Sequence, residues 1–444
     1  MAPSATELPP GTLKAAGLDA RVLRAFRKAL RKETTELKSL AGASHIVLHR
    51  GRRVFACSSG VADQEQGTRF TSRTLCRLHG ATKPLLAAAF LTLVDAGKCR
   101  LSDAVAKYVP FAGHVAAGPA KGKAGKRKAG AAPLRAKRLV KVARPATLRD
   151  LLTNTAGLAN YEEPRENARV LRAVRRGAVK DLAGLCEAIA EEPLRSCPGR
   201  RYDYSFAYDI LGRVCEAVSG KPLDRFMEED FFKPMGMTDT HFRVPPRKRR
   251  RAAALYCTKR NGKRRRAEGA EAYTLSPYRN PQSAPGILSG GGGILSYNDA
   301  GLWGTAEDYA RFCQTLLSGG LAPGGRRVLR QATARQLWRD ALGGLGGRGG
   351  VLPGWHDQDG PRRGGWWDYR GLSLLHTFLD LDEPLKGKPR RSRSMWFSGG
   401  GGTFWTVDAE RSLVTVSFTQ TFGGRESEAD GHGPLAYRVA PYVE

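Results

Sequence analysis

The 444-residue chain is 41% apolar and carries a net charge of +31, a composition that allows one large domain, or two to three ordinary ones, with a substantial core. No run of about 18 apolar residues occurs and the N-terminus lacks a basic start followed by an apolar core, so we expect no transmembrane helix and no secretory signal. The eight cysteines are scattered, without a C-x-x-C pair or a histidine cluster, so we expect free thiols and no metal site. This usage favours an intracellular protein in the cytoplasm, with the nucleus or an organelle as the alternatives.

Strands are predicted at both ends of the chain and helices in its middle. In chain order the elements are a helix over 18–40, strands over 45–50 and 53–57, an extended stretch over 74–79, helices over 85–96, 148–152, 209–218 and 308–317, and strands over 403–407 and 413–418. The helices follow from apolar residues at helical spacing and the strands from short apolar runs around turns. One sheet built from both termini, with a helical region inserted, is the economical architecture.

Positive charge is concentrated in three runs, over 121–144, 246–266 and 386–393. The first is interleaved with glycine and alanine and cannot bury a core, so we predict a mobile loop there. Such runs suit an anionic partner, namely nucleic acid, an anionic membrane surface or an import receptor. The alternative is a set of solvated loops, and aromatic residues do not interleave with the runs as base-stacking platforms require.

The segment Gly80-Ala81-Thr82-Lys83-Pro84 joins the extended stretch to the next predicted helix. A Ser-x-x-Lys hydrolase places its nucleophile at such a turn, with the lysine one helical turn later and facing the serine. Here the lysine is present, but glycine occupies the serine position. No serine in the chain is followed by a lysine three residues later. The turn therefore carries half of a catalytic motif.

The chain resembles the β-lactamase-related serine hydrolases, which include class C β-lactamases, DD-peptidases and family VIII esterases. The matching segments run in family order over roughly residues 20 to 425 and are closest to the esterase branch; they are 60–63, 80–84, 147–158, 204–214, 234–240, 290–294 and 399–408. The resemblance implies an α/β (α+β), β-lactamase/transpeptidase-like fold, with an antiparallel sheet from both chain ends flanked by helices and an inserted, mostly helical region. It implies no cofactor.

We predict one β-lactamase-like domain with a flexible segment at each end. The bounds are 1–19 for the N-terminal segment, 20–425 for the domain, about 114–144 and 246–268 for its basic insertions, about 145–290 for its helical region, and 426–444 for the C-terminal tail. The ligand that the family implies is a small acyl or ester compound, or a peptide-like one.

The resemblance also assigns the proton-transfer residues. Lys83 matches the lysine of the first motif, and Tyr204 matches the tyrosine that helps to move the proton. Phe206 stands where the second motif often has asparagine, a position that the esterase branch often leaves apolar. Gly80 stands at the nucleophile.

The third motif of the family falls on Phe397-Ser398-Gly399, whose first residue is also altered. In the family, the backbone N–H of the nucleophile residue and one from the last strand form the oxyanion hole. In this chain Gly80 and Gly401 would supply these two groups.

The serine oxygen is the atom that becomes acylated, so Gly80 predicts a catalytically impaired homologue, a pseudoenzyme that binds ester, amide or peptide-like ligands. The alternative is an active esterase that uses water activated by Lys83 and Tyr204, or an unrecognised nucleophile such as Ser398. His79 is a candidate base for that alternative. Two structural interpretations also stay open, in which Lys83 is a surface lysine and Tyr204 a packed core residue.

Overall fold

A computed structural model describes most of the chain, and everything below concerns the residues that it describes: 8–116, 139–159, 167–258, 264–266, 301–343, 345, 371–380 and 393–422. Several predictions therefore lie outside the described residues. They concern residues 1–7, the centre of the first basic insertion, the Gly290–Gly293 run, nearly all of the third basic run and the C-terminal tail.

The strands in chain order are β1 (Gly42–His49), β2 (Arg52–Asp63), β3 (Thr68–Arg69), β4 (Cys76–Arg77), β5 (His114–Ala116), β6 (Leu139–Lys141), β7 (Tyr256–Thr258), β8 (Arg264–Arg266), β9 (Trp303–Gly304), β10 (Gly371–Leu372), β11 (Phe378–Asp380), β12 (Ser394–Gly399), β13 (Thr403–Asp408), β14 (Leu413–Thr419) and β15 (Thr421–Phe422).

Eight of these strands form one antiparallel sheet, in the order β10-β11-β12-β13-β14-β1-β2-β3. β1 lies between β2 and β14, with Ile46 opposite Val416, so the N-terminal hairpin is joined directly to the C-terminal one. This is the predicted sheet built from both ends of the chain. The edges of the first basic insertion pair with each other as β5 and β6.

The helices are α1 (Ala20–Thr35), α2 (Thr82–Asp95), α3 (Leu148–Leu152), α4 (Ala168–Arg175), α5 (Leu182–Ala190), α6 (Ala207–Ser219), α7 (Leu223–Phe226), α8 (Ala306–Leu317) and α9 (Gln331–Gln336). A single 3₁₀ turn over His79–Ala81 precedes α2, and a π-helical stretch over Met227–Phe232 follows α7. Between Met235 and residue 258 the described chain forms turns, a 3₁₀ segment and β7.

Helices cover both faces of the sheet. On one face, α1 is amphipathic and buries Phe26 and Leu30 against Val47 and Phe55 of the first hairpin. On the other face, α8 packs on β1, β13 and β14, with the ring of Phe312 6.3 Å from that of Trp405. The apolar sides of the strands are therefore shielded from water on both faces.

α2 is the central helix and is buried along most of its length. It packs against α6, and Gly97, with φ of +73°, follows its end in the left-handed conformation that terminates many helices. The Thr147 hydroxyl and the Asp150 carboxylate form a capping box at the start of α3, and Arg144 binds the same carboxylate at 2.6 Å. Asp150 is therefore the N3 partner of the Thr147 cap, a structural role at the start of this helix.

The basic run that begins at Pro246 is tied to the body of the protein. Lys248 and Arg251 lie 2.8 Å and 2.6 Å from the carboxylate of Asp239, which is largely buried. These two cations hold the pKa of Asp239 well below its usual range. Arg247, Arg249 and Arg250 stay exposed. The interpretation as a solvated loop is therefore wrong for part of this run.

Within the described ranges, no helix is both long and apolar enough to cross a bilayer. The cysteines whose side chains are described are free thiols. No group of three or more potential metal ligands occurs in the same ranges.

Candidate active site

The turn that carries Gly80 is held on both sides by hydrogen bonds. The Tyr309 hydroxyl donates to the carbonyl of Ala81 at 2.8 Å, and the Thr403 hydroxyl donates to the carbonyl of Leu78 at 3.3 Å. His79 has a φ of +47°, a left-handed conformation that is costly for a residue with a side chain. The backbone at position 80 is therefore fixed by α8 and β13.

Position 80 faces Tyr204 and the end of β12. A Cβ atom added to Gly80 would lie 3.2 Å from the carbonyl oxygen of Ser398, 3.5 Å from Oη of Tyr204 and 3.6 Å from Cε1 of Phe397. Gly80 itself lies outside the left-handed region, so its backbone conformation does not require glycine. A side chain at this position would point between Tyr204 and the end of β12.

Lys83 lies one helical turn after Gly80 and is only 1% exposed, so it is not a surface lysine. Its Nζ lies 4.5 Å from the centre of the Tyr204 ring and 5.8 Å from that of Tyr208. Burial lowers the pKa of Lys83, because a charged amine loses its hydration, and the carboxylate of Asp209 opposes this shift. The amine therefore releases its proton far more readily than a solvated lysine does.

Asp209 lies in the first turn of α6 and is completely buried. Neither of its carboxylate oxygens accepts a hydrogen bond within the part of the chain that the structure describes. Burial raises the pKa of Asp209, while the charge of Lys83 opposes the shift. Lys83 and Asp209 are thus a buried acid–base pair whose pKa values are moved toward each other.

His376 fills the space beside Tyr204. It is completely buried, and its ring centre lies 5.5 Å from that of Tyr204, 5.4 Å from that of Phe397 and 5.9 Å from that of Tyr202, with which it stacks. Burial lowers the pKa of His376 well below its usual 6.5, and Lys83 lowers it further. The imidazole is therefore neutral at physiological pH.

Asn154 fixes the tautomer of that histidine. The Oδ1 of Asn154 accepts the backbone N–H of Ser205 at 3.2 Å, so its Nδ2 must donate to Nδ1 of His376 at 3.1 Å. The imidazole proton is then on Nε2, which donates to Oη of Tyr202 at 3.3 Å. Asn154 and His376 have φ values of +54° and +58°, and such strained residues concentrate at functional sites.

The third-motif residues and Gly401 make different contacts around the turn that carries Gly80. A Cβ on Gly399 would lie 2.1 Å from the carbonyl oxygen of Leu78, so only glycine lets β12 approach the turn so closely. The Phe397 ring and the Ser398 carbonyl face position 80. Gly401 lies further along, where a Cβ would approach Gln420 instead.

Ser398 and His79 are the two residues considered as substitute groups. The Ser398 hydroxyl makes no hydrogen bond to any described base. Burial lowers the pKa of His79 to about 3, so its imidazole is a weak base. Its Nε2 lies beside Gly401, 3.6 Å from where a Cβ of that glycine would be.

Three residues of the site were missed in the sequence, namely Asn154, Asp209 and His376. Asn154 follows α3 at the end of a motif, and asparagine in a left-handed conformation after a helix is a usable signal. Asp209 looks like an ordinary acid in the first turn of a helix. His376 gives no local signal, since its partner Asn154 lies 222 residues away.

The arrangement can accept, hold and release a proton. The Tyr204 hydroxyl lies 3.5 Å from where a Cβ of residue 80 would be, and Nζ of Lys83 lies over the ring of the same tyrosine. The charge of Asp209 acts on that amine from a distance.

Known proteins with similar sequence and structure cover nearly the whole chain. An uncharacterised protein of Mycobacterium tuberculosis is 30% identical over 393 residues, which are 88% of each chain. The esterase EstB of Burkholderia gladioli is 28% identical over 435 residues, 92% of each chain. The structure of EstCE1, a hydrolase with promiscuous acyltransferase activity, matches 95% of this chain and 99% of its own with a TM-score of 0.69 at 21% identity.

The sheet order, the helices on both faces and these similarities agree with the fold class expected from the sequence motifs. The family model described as Beta-lactamase matches residues 27–436, which span the described sheet and the turn at Gly80. The chain is therefore a member of the beta-lactamase family.

Proposed function

We propose that this protein binds an ester, amide or peptide-like compound in the cleft at Gly80 and forms no acyl-enzyme there. One observation carries the proposal: position 80 points at the Tyr204 hydroxyl, with Lys83 buried one helical turn later, yet it carries no side chain. The proton-handling groups are retained around the place of a nucleophile that is missing.

The expected ligand class comes from the relatives and from the lining of the cleft. EstB is named as an esterase and EstCE1 as a hydrolase with acyltransferase activity, so acyl compounds are the first class to test. The side chains at position 80 are the ring of Phe397 and the hydroxyl group of Tyr204, with the neutral His376 packed behind both rings. Such a wall favours an uncharged, partly apolar acyl group.

The missing oxygen has a large kinetic consequence. In a well-studied serine protease, removal of the nucleophile lowers kcat by about 10⁶-fold, and about 10³ to 10⁴ over the reaction in water survives through binding and the oxyanion hole. We expect a residual activity of that kind here.

An active hydrolase that uses water is the second candidate. The observation that favours it is the amine of Lys83, whose lowered pKa suits a general base, next to the Tyr204 hydroxyl. A water molecule in the volume left free by Gly80 would replace the serine oxygen in this scheme. Its signature is turnover without a covalent intermediate.

Labelling with a fluorophosphonate separates an acyl-enzyme hydrolase from both candidates. The reagent is incubated with the full-length protein, and labelled serines are located by peptide mass spectrometry. We expect no serine to be labelled stoichiometrically. Stoichiometric labelling of any serine would show that the protein has a nucleophile of its own.

The matched control is Gly80→Ser. A Cβ at this position meets only the Ser398 carbonyl at less than 3.4 Å, so a serine needs a shift of a few tenths of an ångström. We expect the variant to be labelled on residue 80 and the variant Gly80→Ala not to be. A folded Gly80→Ser protein that stays unlabelled would remove support from the roles given to Lys83 and Tyr204.

A further inference from the structure

The amine of Lys83 is the strongest candidate nucleophile among the groups described around position 80. It is buried between two tyrosine rings, and a desolvated lysine attacks carbonyl carbons more readily than a hydrated one. In a serine hydrolase the oxygen of residue 80 would stand between this amine and the ligand. Here that position has no side chain.

The entry that we assign to the amine lies beside Gly80. Gly80 and Tyr204 are partly exposed, whereas Lys83 and Tyr208 are buried. A small molecule that enters beside Gly80 meets the Tyr204 hydroxyl, 3.5 Å from where a Cβ would be. That hydroxyl can exchange a proton with an oxygen in the same space.

Asp209 supplies the charge that such chemistry needs. Its carboxyl group is completely buried and accepts no hydrogen bond from the described residues. The ionised form therefore lacks the hydrogen bonds that usually offset the loss of hydration of a buried charge. A cation formed permanently on Nζ of Lys83 would give it a counter-ion. The acid thus favours a product in which the lysine nitrogen stays positive.

We propose that Lys83 condenses with a small apolar aldehyde to form an imine, whose protonated form is paired with Asp209. The proposal rests on the proposed function in one respect, since it needs a cleft at Gly80 that admits a ligand and contains no serine oxygen.

The step is balanced in atoms and in charge. Nζ of Lys83 forms a bond to the carbonyl carbon, and the proton lost by nitrogen reaches the carbonyl oxygen through the Tyr204 hydroxyl, which gives a carbinolamine. The C–O bond then breaks, and the oxygen leaves as water with the proton of the neutral Asp209 carboxyl group. An iminium cation and a carboxylate anion remain, so the net charge of the buried pair is zero before and after.

Reductive trapping tests this inference. The full-length protein is treated at pH 7 with butyraldehyde and sodium cyanoborohydride, which turns an imine into a stable butyl amine. Trypsin does not cleave between Lys83 and Pro84, so the peptide Leu78–Lys98 carries Lys83 as an internal residue whether or not it is modified. Lys107, whose side chain is 61% exposed, serves as the reference in the same digest.

We expect Lys83 to be alkylated at least about tenfold faster than Lys107, because each unit by which a pKa is lowered towards pH 7 raises the neutral fraction about tenfold. Equal or slower labelling of Lys83 overturns the inference. The variant Gly80→Leu fills the entry beside the amine and is checked for folding by circular dichroism. We expect its Lys83 labelling to fall at least about tenfold, and unchanged labelling in the folded variant contradicts the assigned entry.

The two proposals fail in different ways. A serine labelled by the fluorophosphonate overturns the proposed function, whatever happens at Lys83. If no serine is labelled and Lys83 is not trapped faster than Lys107, only the imine inference is overturned.

Discussion

Replacement of His376 by phenylalanine is the most informative test of the network behind the cleft. The imidazole accepts a hydrogen bond from Asn154 at 3.1 Å and donates one to Tyr202 at 3.3 Å, both in the fully buried interior. Phenylalanine has an aromatic ring of similar size, and the left-handed backbone conformation at this position is about as costly for it as for histidine. The variant therefore removes hydrogen bonds and a titratable group with little change in packing.

The cost can be worked out from these contacts. Asn154 is 1% exposed, and loss of its acceptor leaves the Nδ2 group buried and unpaired, which costs about 1–3 kcal/mol. Loss of the bond to Tyr202 adds about 1 kcal/mol. We expect the free energy of unfolding at pH 7 to fall by about 2–4 kcal/mol.

The pH dependence has a definite sign. The folded-state pKa of His376 lies well below the usual 6.5, so the folded protein binds fewer protons at this site than the unfolded chain does. The neutral histidine therefore contributes fully to the wild-type free energy of unfolding above pH 6.5. Below pH 6.5, that free energy falls by about 1.4 kcal/mol per pH unit. Phenylalanine has no such proton to bind, so its variant does not lose stability in this way. The difference in the free energy of unfolding between the wild type and His376→Phe should therefore narrow by about 2 kcal/mol from pH 6.5 to pH 5.

Urea unfolding of both proteins at pH 7 and pH 5 measures these differences, and the partly exposed His49→Phe serves as the control. We expect the control to change the free energy of unfolding by less than about 1 kcal/mol and to alter its pH dependence far less than His376→Phe does, because His49 is only partly buried. If His376→Phe is as stable as the wild type at pH 7, or if the two proteins lose stability in parallel on acidification, the hydrogen-bonded neutral histidine is refuted.

Three further substitutions test the scaffold around the site. Gly399→Ala forces a methyl group to within 2.1 Å of the Leu78 carbonyl oxygen. We expect urea unfolding to show that the free energy of unfolding falls by about 3 kcal/mol or more, and an unchanged midpoint would contradict the close approach of β12. Asp239→Asn removes the charge that pairs with Lys248 and Arg251. We expect thermal unfolding to show a loss of stability of about 2 kcal/mol that becomes smaller in high salt. A loss that does not depend on salt would argue against these ion pairs. Thr147→Ala breaks the capping box of α3 and should lower the free energy of unfolding by about 1–2 kcal/mol, whereas no change would show that the cap is unimportant.

The fold could be predicted where local signals agree with the final packing. Thr147 caps the start of α3 and the left-handed Gly97 follows the end of α2, and both residue types mark helix ends by their own chemistry. The strands at the two chain ends are short apolar runs with turns between them. Their pairing into one sheet follows because each needs an apolar face covered.

The candidate site could be predicted only where it lies in one continuous segment. Gly80 and Lys83 are three residues apart, so helix geometry brings them together without knowledge of the fold. Asn154 and His376 are 222 residues apart, and no spacing rule joins them. The burial of Asp209 is equally invisible, because its position in a first helical turn is ordinary for an exposed acid.

The second basic run shows the limit of charge patterns. A run of like charges predicts repulsion and solvation, and it gives no sign that a single acid elsewhere in the chain will hold two of its members. Asp239 does so from a neighbouring loop, with Arg251 at 2.6 Å. The exposed arginines of the same run keep the predicted character.

The most direct test of the central claim is ester turnover by Gly80→Ser compared with the wild type. Both proteins are assayed at pH 7 with a short-chain p-nitrophenyl ester, with Gly80→Ala and the double variant Gly80→Ser/Lys83→Met as controls. If the site lacks only the nucleophile, kcat/KM of Gly80→Ser should exceed that of the wild type by at least about 10³-fold, and the gain should vanish in both controls. A wild-type protein that already turns over the ester as fast as Gly80→Ser would contradict the claim.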